Sequence, residues 1–467
     1  MNKARLKRER LRSMTRITTA MALLCAITTA ARAADRPNII LIYTDDQAAN
    51  MTGFEGHPIV KTPNLDRLAR ESVFFTRCYV PTPQCAPSRA CILTGQYPHT
   101  HGVTTNGPAL PADADTFTAR LKTAGYLCGI VGKWHLSYDT SKDPKFGLVD
   151  YVATNDRPWR WDNCNVWVQG KKTKADKFLT DWHGDRAIEF IEKFADRQPF
   201  FLWLCFRSPH APLVYPPGTQ RLYPPESVDL PKTMSIDVKG RPRTLAASPP
   251  VQGFKGKSEE SIRQARSKYY AMITRIDENV GRLLARLGEL KLRDNTVVVF
   301  ASDNGWCLGD HGLYSKGPFF YEELIRGPLL VRYPKLARPG TKIDRVVSLV
   351  DLAPTFLELA GLTPPIAMHG KSLLPLIRDP YTARHADERF LEYDKQKGSE
   401  FPARGIVTRQ YKFIDYLRDT DVLFDLKRDP GEMHNAINDA EYAAVVKVLR
   451  NRLERWRKTS KDPTLGK

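Results

Sequence analysis

Four apolar runs along this 467-residue chain each end in a cluster of polar or charged side chains. "PNIILIYTDDQ" passes from Ile39, Ile40, Leu41 and Ile42 into Asp45 and Asp46. "YLCGIVGKWH" delivers Lys133 and His135, "PFFLWLCFRSPHAP" delivers His210, and "NTVVVFASDNG" delivers Asp303 and Asn304. "GPLLVRYP" supplies a further buried run. Continuous apolar strands are what a sheet covered on both faces requires. Helical patterns lie between them, over residues 63–72, 117–124, 184–194 and 261–290. In the last, Tyr269, Tyr270, Ile273, Ile276, Val280, Leu283, Leu284 and Leu287 make one apolar face at helical spacing. Alternating strands and helices predict an α/β doubly wound domain, with ligands beyond the carboxyl ends of the strands. The polar clusters fall there.

The remainder is punctuated differently. Residues 215–257 are rich in Pro and Lys/Arg with weak periodicity and read as a long surface insertion. After about Asp379 short strand-like pieces ("RGIVTRQYKFIDY", "DVLFDL") precede an amphipathic helix, which predicts a small α+β subdomain over 380–467. Residues 1–33 read as a signal peptide: a basic start, a short apolar run from Ala20 to Ala30, and a small-residue cleavage site after Ala33. The catalytic domain is then expected over 34–379, in a chain exported to the periplasm or secreted. No later segment is apolar enough to span a bilayer.

The net charge of +19 favours polyanionic partners, and export makes nucleic acid the poorest of these. Of eight cysteines, Cys25 falls in the leader and Cys85 has an unusual setting, "QCAPSRACILTG". The other six are free to pair in an oxidising compartment, with no pairing readable from sequence. Proline two residues after Cys85 suits a first helical turn. Cys85 would thus sit at the positive end of a helix, with Arg89 returning to the same face one turn on.

Asp45–Asp46 and Asp303–Asn304 occupy matching positions after two buried strands. Together they offer only oxygen donors, which suit Ca²⁺, with Mg²⁺ second, rather than Zn²⁺. Lys133 and His135 alternate along an extended stretch and so can face one side; His210 is held between prolines, and Lys316 closely follows the second acidic pair. Two acid/base candidates and three permanent cations around one metal suit transfer of an anionic group.

"CAPSRACILTG" matches the signature Cys-x-Pro-Ser-Arg-x-x-x-Leu-Thr-Gly, and the chain resembles the formylglycine-dependent sulfatases of the alkaline phosphatase superfamily. "PNIILIYTDDQ", "KTPNLDRLA", "GKWHL", "SPHAP", "SDNGWCLGDHGLYSKG" and "DLKRDPGEMHN" also resemble that family, in its usual order. The resemblance implies a large mixed sheet flanked by helices, and oxidation of Cys85 to formylglycine (3-oxoalanine) by a formylglycine-generating enzyme. It further implies that a hydrated aldehyde oxygen attacks sulfur and the alcohol leaves, after which the sulfated hemiacetal collapses and expels sulfate. By the same resemblance Asp45, Asp46, Asp303, Asn304 and the modified Cys85 hold Ca²⁺. Arg89 steadies the diol, Lys133 and Lys316 neutralise sulfate, His135 assists the diol chemistry, and His210 protonates the leaving alcohol. His311 is read as structural.

The segment "NDRPWRWDNCNVWVQGKK" interleaves aromatic rings with cations, and Arg157, Trp159, Arg160 and Trp161 are its candidates for a sulfated or uronic sugar. An equal alternative is a tryptophan-anchored loop packed on the core. Three functions follow: hydrolysis of a sulfated carbohydrate, phosphonate monoester or phosphodiester hydrolysis on the same scaffold, or non-catalytic binding of sulfated glycan.

Overall fold

A computed structural model describes residues 36–136, 150–155, 160–197, 199–234, 242–243, 248–394 and 402–466. The expected signal peptide, Arg157 and Trp159 lie outside the described residues. Eleven strands form one mixed sheet. They are β1 (Asn38–Asp45), β2 (Val73–Tyr79), β3 (Leu127–Lys133), β4 (Tyr151–Asn155), β5 (Asn165–Val168), β6 (Lys171–Lys174), β7 (Phe200–Pro209), β8 (Thr296–Ser302), β9 (Arg326–Gly327), β10 (Leu329–Arg332) and β11 (Lys342–Ser348). Their order is β11-β2-β10-β8-β1-β7-β3-β4-β5-β6, with β9 beside β2. The five central strands β8, β1, β7, β3 and β4 run parallel, so their carboxyl ends share one edge.

The alternation along β1 feeds two cores. Ile39, Leu41 and Tyr43 pack on one face with Phe117, Leu121 and Phe356. Ile40 and Ile42 pack on the other with Leu65, Phe190, Ile276, Val280 and Leu283. Helices α1 (Pro63–Arg70), α2 (Cys85–Thr94), α3 (Phe117–Thr123), α4 (Leu179–Phe194), α5 (Glu259–Glu289) and α6 (Leu352–Leu359) cover these faces. Side chains cap two of them: Thr116 accepts from Ala119 N–H ahead of α3, and Ser258 accepts from Ser261 N–H ahead of α5.

Helix α4 begins at Leu179, five residues before the start read from sequence. Gly184 is not its first residue; a Cβ there would lie 2.2 Å from Asn279 Oδ1, so the glycine permits close contact between α4 and α5. The 215–257 stretch is not wholly superficial. Tyr223 and Val228 are buried against α5, and the Tyr223 hydroxyl meets Thr274 Oγ1 at 2.6 Å.

The chain ends in an antiparallel sheet of β12 (Glu388–Tyr393), β13 (Ala403–Thr408), β14 (Tyr411–Tyr416) and β15 (Val422–Asp425), covered by α7 (Ala443–Thr459). Among the described residues no helix is long and apolar enough to cross a membrane. The seven described cysteines are all buried and free of disulfides.

Candidate active site

The carboxyl ends of the parallel strands bring the sequence-separated residues together. Asp45 ends β1, and the backbone turns sharply at Asp46, whose φ is 69°. Such a conformation is costly for a side-chain-bearing residue and is typical of functional sites. It lets Asp46 N–H donate to Asp303 Oδ1 at 3.0 Å, across from the end of β8. Lys133 ends β3. Gly132 before it has a φ of 101°, and a Cβ there would collide with the Cys205 carbonyl 1.9 Å away, so only glycine lets β3 deliver Lys133 beside β7.

Cys85 is the first residue of α2, and Ala86 N–H is met by Asn106 Oδ1 at 2.9 Å. All ten residues of α2 are buried, and Gly95 closes it in the left-handed region. The Cys85 thiol lies 3.3 Å from Asp45 Oδ1 and 3.8 Å from Asp46 Oδ1, and Lys316 Nζ approaches it to 2.6 Å. Lys316 also donates to Asp46 Oδ1 and reaches Asn304 Oδ1 at 3.3 Å. Lys133 Nζ donates to Asp45 Oδ2 at 2.6 Å. Atoms of Asp45, Asp46, Cys85 and Asp303 all lie within 4.8 Å of one another.

Electrostatics separate the members. Burial, reinforced by Asp303 and Asp45, pushes the Cys85 thiol well up, so the expected anion-favouring helix end does not yield a thiolate. An unmodified cysteine here is a poor nucleophile. Burial opposes the Asp45 charge, yet Lys133, His210, Arg89 and Lys316 together hold its carboxyl well below the usual range. Burial and the Asp45 charge raise Asp303 to about 6, and burial with the same charge also raises Asp46 against the pull of Lys316. Burial pushes His210 down to about 3.

Two carboxylates are thus incompletely compensated by the protein's own cations. One oxygen, Asp46 Oδ2, is buried without a hydrogen bond, its neighbour being His210 Nε2 at 3.5 Å. Three carboxylates beside Cys85, one with an orphaned oxygen, fit a hard divalent cation.

Two sequence expectations change in detail. Arg89 is fully buried and donates to Asp303 Oδ2 (3.2 and 2.9 Å) and the Lys133 carbonyl (2.7 Å), with Nη2 3.8 Å from Asp45 Oδ1, the oxygen beside Cys85 Sγ, so it also braces two other site residues. His135 does not follow Lys133 by strand alternation, because β3 ends at Lys133 and His135 has a φ of 65°. His210 donates from Nδ1 to the Ala211 carbonyl at 2.6 Å, which leaves Nε2 toward the cluster. His311 stacks on Tyr321 at 3.7 Å and pairs with Glu323, away from the cluster.

Arg160 is exposed, but Trp161 is buried: its ring stacks on Phe178 at 5.5 Å and Nε1 donates to the Pro212 carbonyl at 2.7 Å. The tryptophan-anchored arrangement is what Trp161 adopts. Sequence reasoning passed over Trp306, whose ring flanks both His210 (5.7 Å) and Lys316 (5.8 Å), and Arg207, a charge inside an otherwise apolar strand.

The family model for Sulfatase matches residues 37–362, and that for the C-terminal region of N-sulphoglucosamine sulphohydrolase matches residues 309–459. An N-acetylglucosamine-6-O-sulfatase of Bacteroides thetaiotaomicron is 31% identical, over 91% of this chain and 87% of its own. An ulvan-active sulfatase of Formosa agariphila is also 31% identical, over 90% of this chain and 80% of its own. The solved structure of BT4656 in complex with its substrate D-glucosamine-2-N,6-O-disulfate superposes with a TM-score of 0.84 at 29% identity, over 92% of this chain and 99% of that one. With the strand-end cluster and the mixed sheet, these likenesses carry one conclusion: the chain belongs to the sulfatase family of the alkaline phosphatase superfamily.

Proposed function

We propose that this enzyme removes sulfate from a sulfated carbohydrate, using formylglycine at position 85 and Ca²⁺. The observation that carries the reading is the convergence on Cys85 Sγ of Asp45, Asp46 and Lys316, at the buried start of a helix. The carbohydrate names of the relatives support the substrate class. Asp45, Asp46, Asp303, Asn304 and the modified residue 85 would hold the cation, which supplies charge neutralisation to the sulfate ester and to the attacking oxygen. Conversion of Cys85 by a formylglycine-generating enzyme supplies a hydrated aldehyde oxygen for attack at sulfur, and a second oxygen that can later expel sulfate.

The remaining residues act by charge and proton placement. Lys133, held on Asp45, and Lys316, held on Asp46, neutralise sulfate oxygens. Arg89 fixes Asp303 and the end of β3. His210 and Lys316 are the more open members, with side chains 26% and 13% exposed, so the leaving sugar enters beside them. Burial keeps His210 neutral in the free site; an incoming sulfate anion favours its protonated form, and the Nε2 proton then goes to the departing alkoxide. We assign the chain to the periplasm or exterior, with the leader removed near Ala33.

Mass spectrometry of the peptide containing Cys85 tests the modification, and parallel assays on nitrophenyl sulfate, sulfated sugars and a phosphodiester test the reaction. The expected result is an aldehyde or its hydrate at position 85 and preference for sulfate esters. Unmodified cysteine in fully active protein, or preference for the phosphodiester, would overturn the reading.

A further inference from the structure

Strand β7 is buried along its whole length, and its one charged side chain is Arg207, only 7% exposed. Buried arginines elsewhere are met by carboxylates: Arg89 by Asp303, Arg389 by Asp351, Arg404 by Asp462. Among the described residues no carboxylate lies within ion-pair distance of Arg207. Its one hydrogen bond runs from Nη2 to the Ala211 carbonyl at 3.1 Å, and its Nε is buried without a partner. The guanidinium rests on the Trp161 ring, 5.4 Å from the centroid, and that ring is itself clamped by Phe178 and the Pro212 carbonyl. An aromatic face offsets only part of the cost of burying an unpaired cation. Burial lowers the Arg207 pKa, and Asp45, Asp46 and Cys85 are among the groups pulling it back. The residue therefore sits within electrostatic reach of the active centre.

The Ala211 carbonyl accepts from both Arg207 Nη2 and His210 Nδ1. One acceptor thus places the guanidinium beside the histidine assigned to the leaving alcohol. Three cations (Arg89, Lys133, Lys316) already pair with three carboxylates (Asp303, Asp45, Asp46), Arg207 adds a fourth positive charge outside those pairs, and a divalent metal would add two more. A single sulfate monoester brings one negative charge, which leaves a positive surplus. A planar fork held at fixed orientation is suited to a two-oxygen anion.

We propose that Arg207 binds a second anionic group, sulfate or carboxylate, on the leaving sugar, and so selects doubly charged substrates. This rests on the sulfate-ester reading above. Securing the 207–211 turn takes one Nη2 contact, Nε is enclosed by protein, and Nη1 has no hydrogen-bond partner among the described residues.

The test uses full-length, Ca²⁺-loaded Cys85→Ala protein, which binds sugar without turnover. Calorimetry compares a hexosamine with one sulfate, the same hexosamine with two, and a sulfated hexuronic acid. In the Arg207 protein the second anion should tighten binding by about tenfold or more, equivalent to ~1.4 kcal/mol. Arg207→Gln should erase that preference while leaving monosulfated binding within about twofold, and Arg207→Lys should keep part of it. A response to the disulfated sugar alone identifies sulfate as the second group, and a response to the uronic acid alone identifies carboxylate.

Absence of any preference in the Arg207 protein overturns the proposal, and this holds even if Arg207→Gln fails to fold. A preference that survives in folded Arg207→Gln overturns it as well. An intact preference in a protein whose Cys85 form hydrolyses no sulfate ester would instead sink the sulfate-ester reading and leave the Arg207 assignment standing.

Discussion

Where the terminal helix meets the small sheet the buried Arg404 and His99 are fully matched, whereas at the strand ends of the large sheet several charged groups are not. Arg404 is fully buried and donates to both carboxylate oxygens of Asp462 (2.8 and 3.2 Å) and to the Tyr393 and Ala403 carbonyls. His99 is held between Glu392 and the Ser460 carbonyl. Around Cys85, by contrast, Asp46 Oδ2 has no hydrogen bond, Asp303 is raised to about 6, and Arg207 has a single donor engaged. A closed network stabilises a joint between elements; an open one retains unspent charge for a ligand.

The largest effect should come from the open cluster. Cys85→Ser should abolish sulfate-ester turnover while leaving the circular dichroism spectrum and Tm near those of the unsubstituted protein. Without a serine-modifying enzyme serine does not become the aldehyde, and its hydroxyl would meet the same Asp45, Asp46 and Lys316. Near-normal activity from Cys85→Ser, expressed without a serine-modifying enzyme, would break the assignment.

Next in size is a leaving-group effect. A sugar alkoxide needs a proton to depart and a nitrophenolate does not, so His210→Ala should slow the sulfated sugar by ~10²–10⁴-fold and nitrophenyl sulfate far less. Lys316→Ala should slow both, because its Nζ contacts Cys85 and Asp46. The reverse pattern, measured with equal metal loading and equal Cys85 modification, would exchange the two roles.

Much of this centre is readable from the chain because the signal is local. A continuous apolar strand followed at once by Asp, Asn, Lys or His states both the element and what it carries, and Asp45, Lys133 and Asp303 stand where that pattern places them. What was not legible depends on partners far away in sequence. Whether Trp161 faces solvent or the core is decided by Phe178 and Pro212. Strand alternation does not carry as far as His135, because β3 ends at Lys133 and a strand's end is a property of its neighbours as well as of its own residues. Leu179 starts α4 without a side-chain cap, so no residue type announced it. Arg207 was hidden by a motif reading that stopped at Ser-Pro-His, although an arginine inside "FFLWLCFRSP" was itself a signal.

The third comparison sets stability against metal. Arg404→Ala should cost about 3–5 kcal/mol, the usual penalty for breaking a buried pair, without changing the preference between aryl and sugar sulfates. Ca²⁺ at 100 times its Kd should raise stability by about 2.7 kcal/mol, and Asp303→Asn should remove that increment. Chelation that leaves Tm unchanged, or stoichiometric zinc in active protein, would contradict the oxygen-donor assignment.

The smallest effect tests whether the seam is closed in the sense argued. Burial alone would lower the His99 pKa, but the hydrogen bond and charge of Glu392, with the Ser460 carbonyl, raise it above the ordinary value. With Nδ1 toward Glu392 and Nε2 toward a carbonyl, both ring nitrogens act as donors, which describes an imidazolium. A raised folded-state pKa means the folded protein holds its proton more tightly than the unfolded chain. The resulting stabilisation is fully present below the unfolded value of about 6.5 and is lost as pH rises through the folded one. His99→Gln should therefore lower Tm at pH 5.5 by more than at pH 9. The difference should be only about 1–2 °C, since 1 kcal/mol moves even a 150–250-residue domain by ~2–4 °C and a larger one by less. Arg404→Ala supplies the contrast: arginine keeps its charge across this range, so its Tm deficit should not vary with pH. A His99→Gln deficit equally flat from pH 5.5 to 9 would mean that His99 is neutral at the seam and joins it by packing and neutral hydrogen bonds alone.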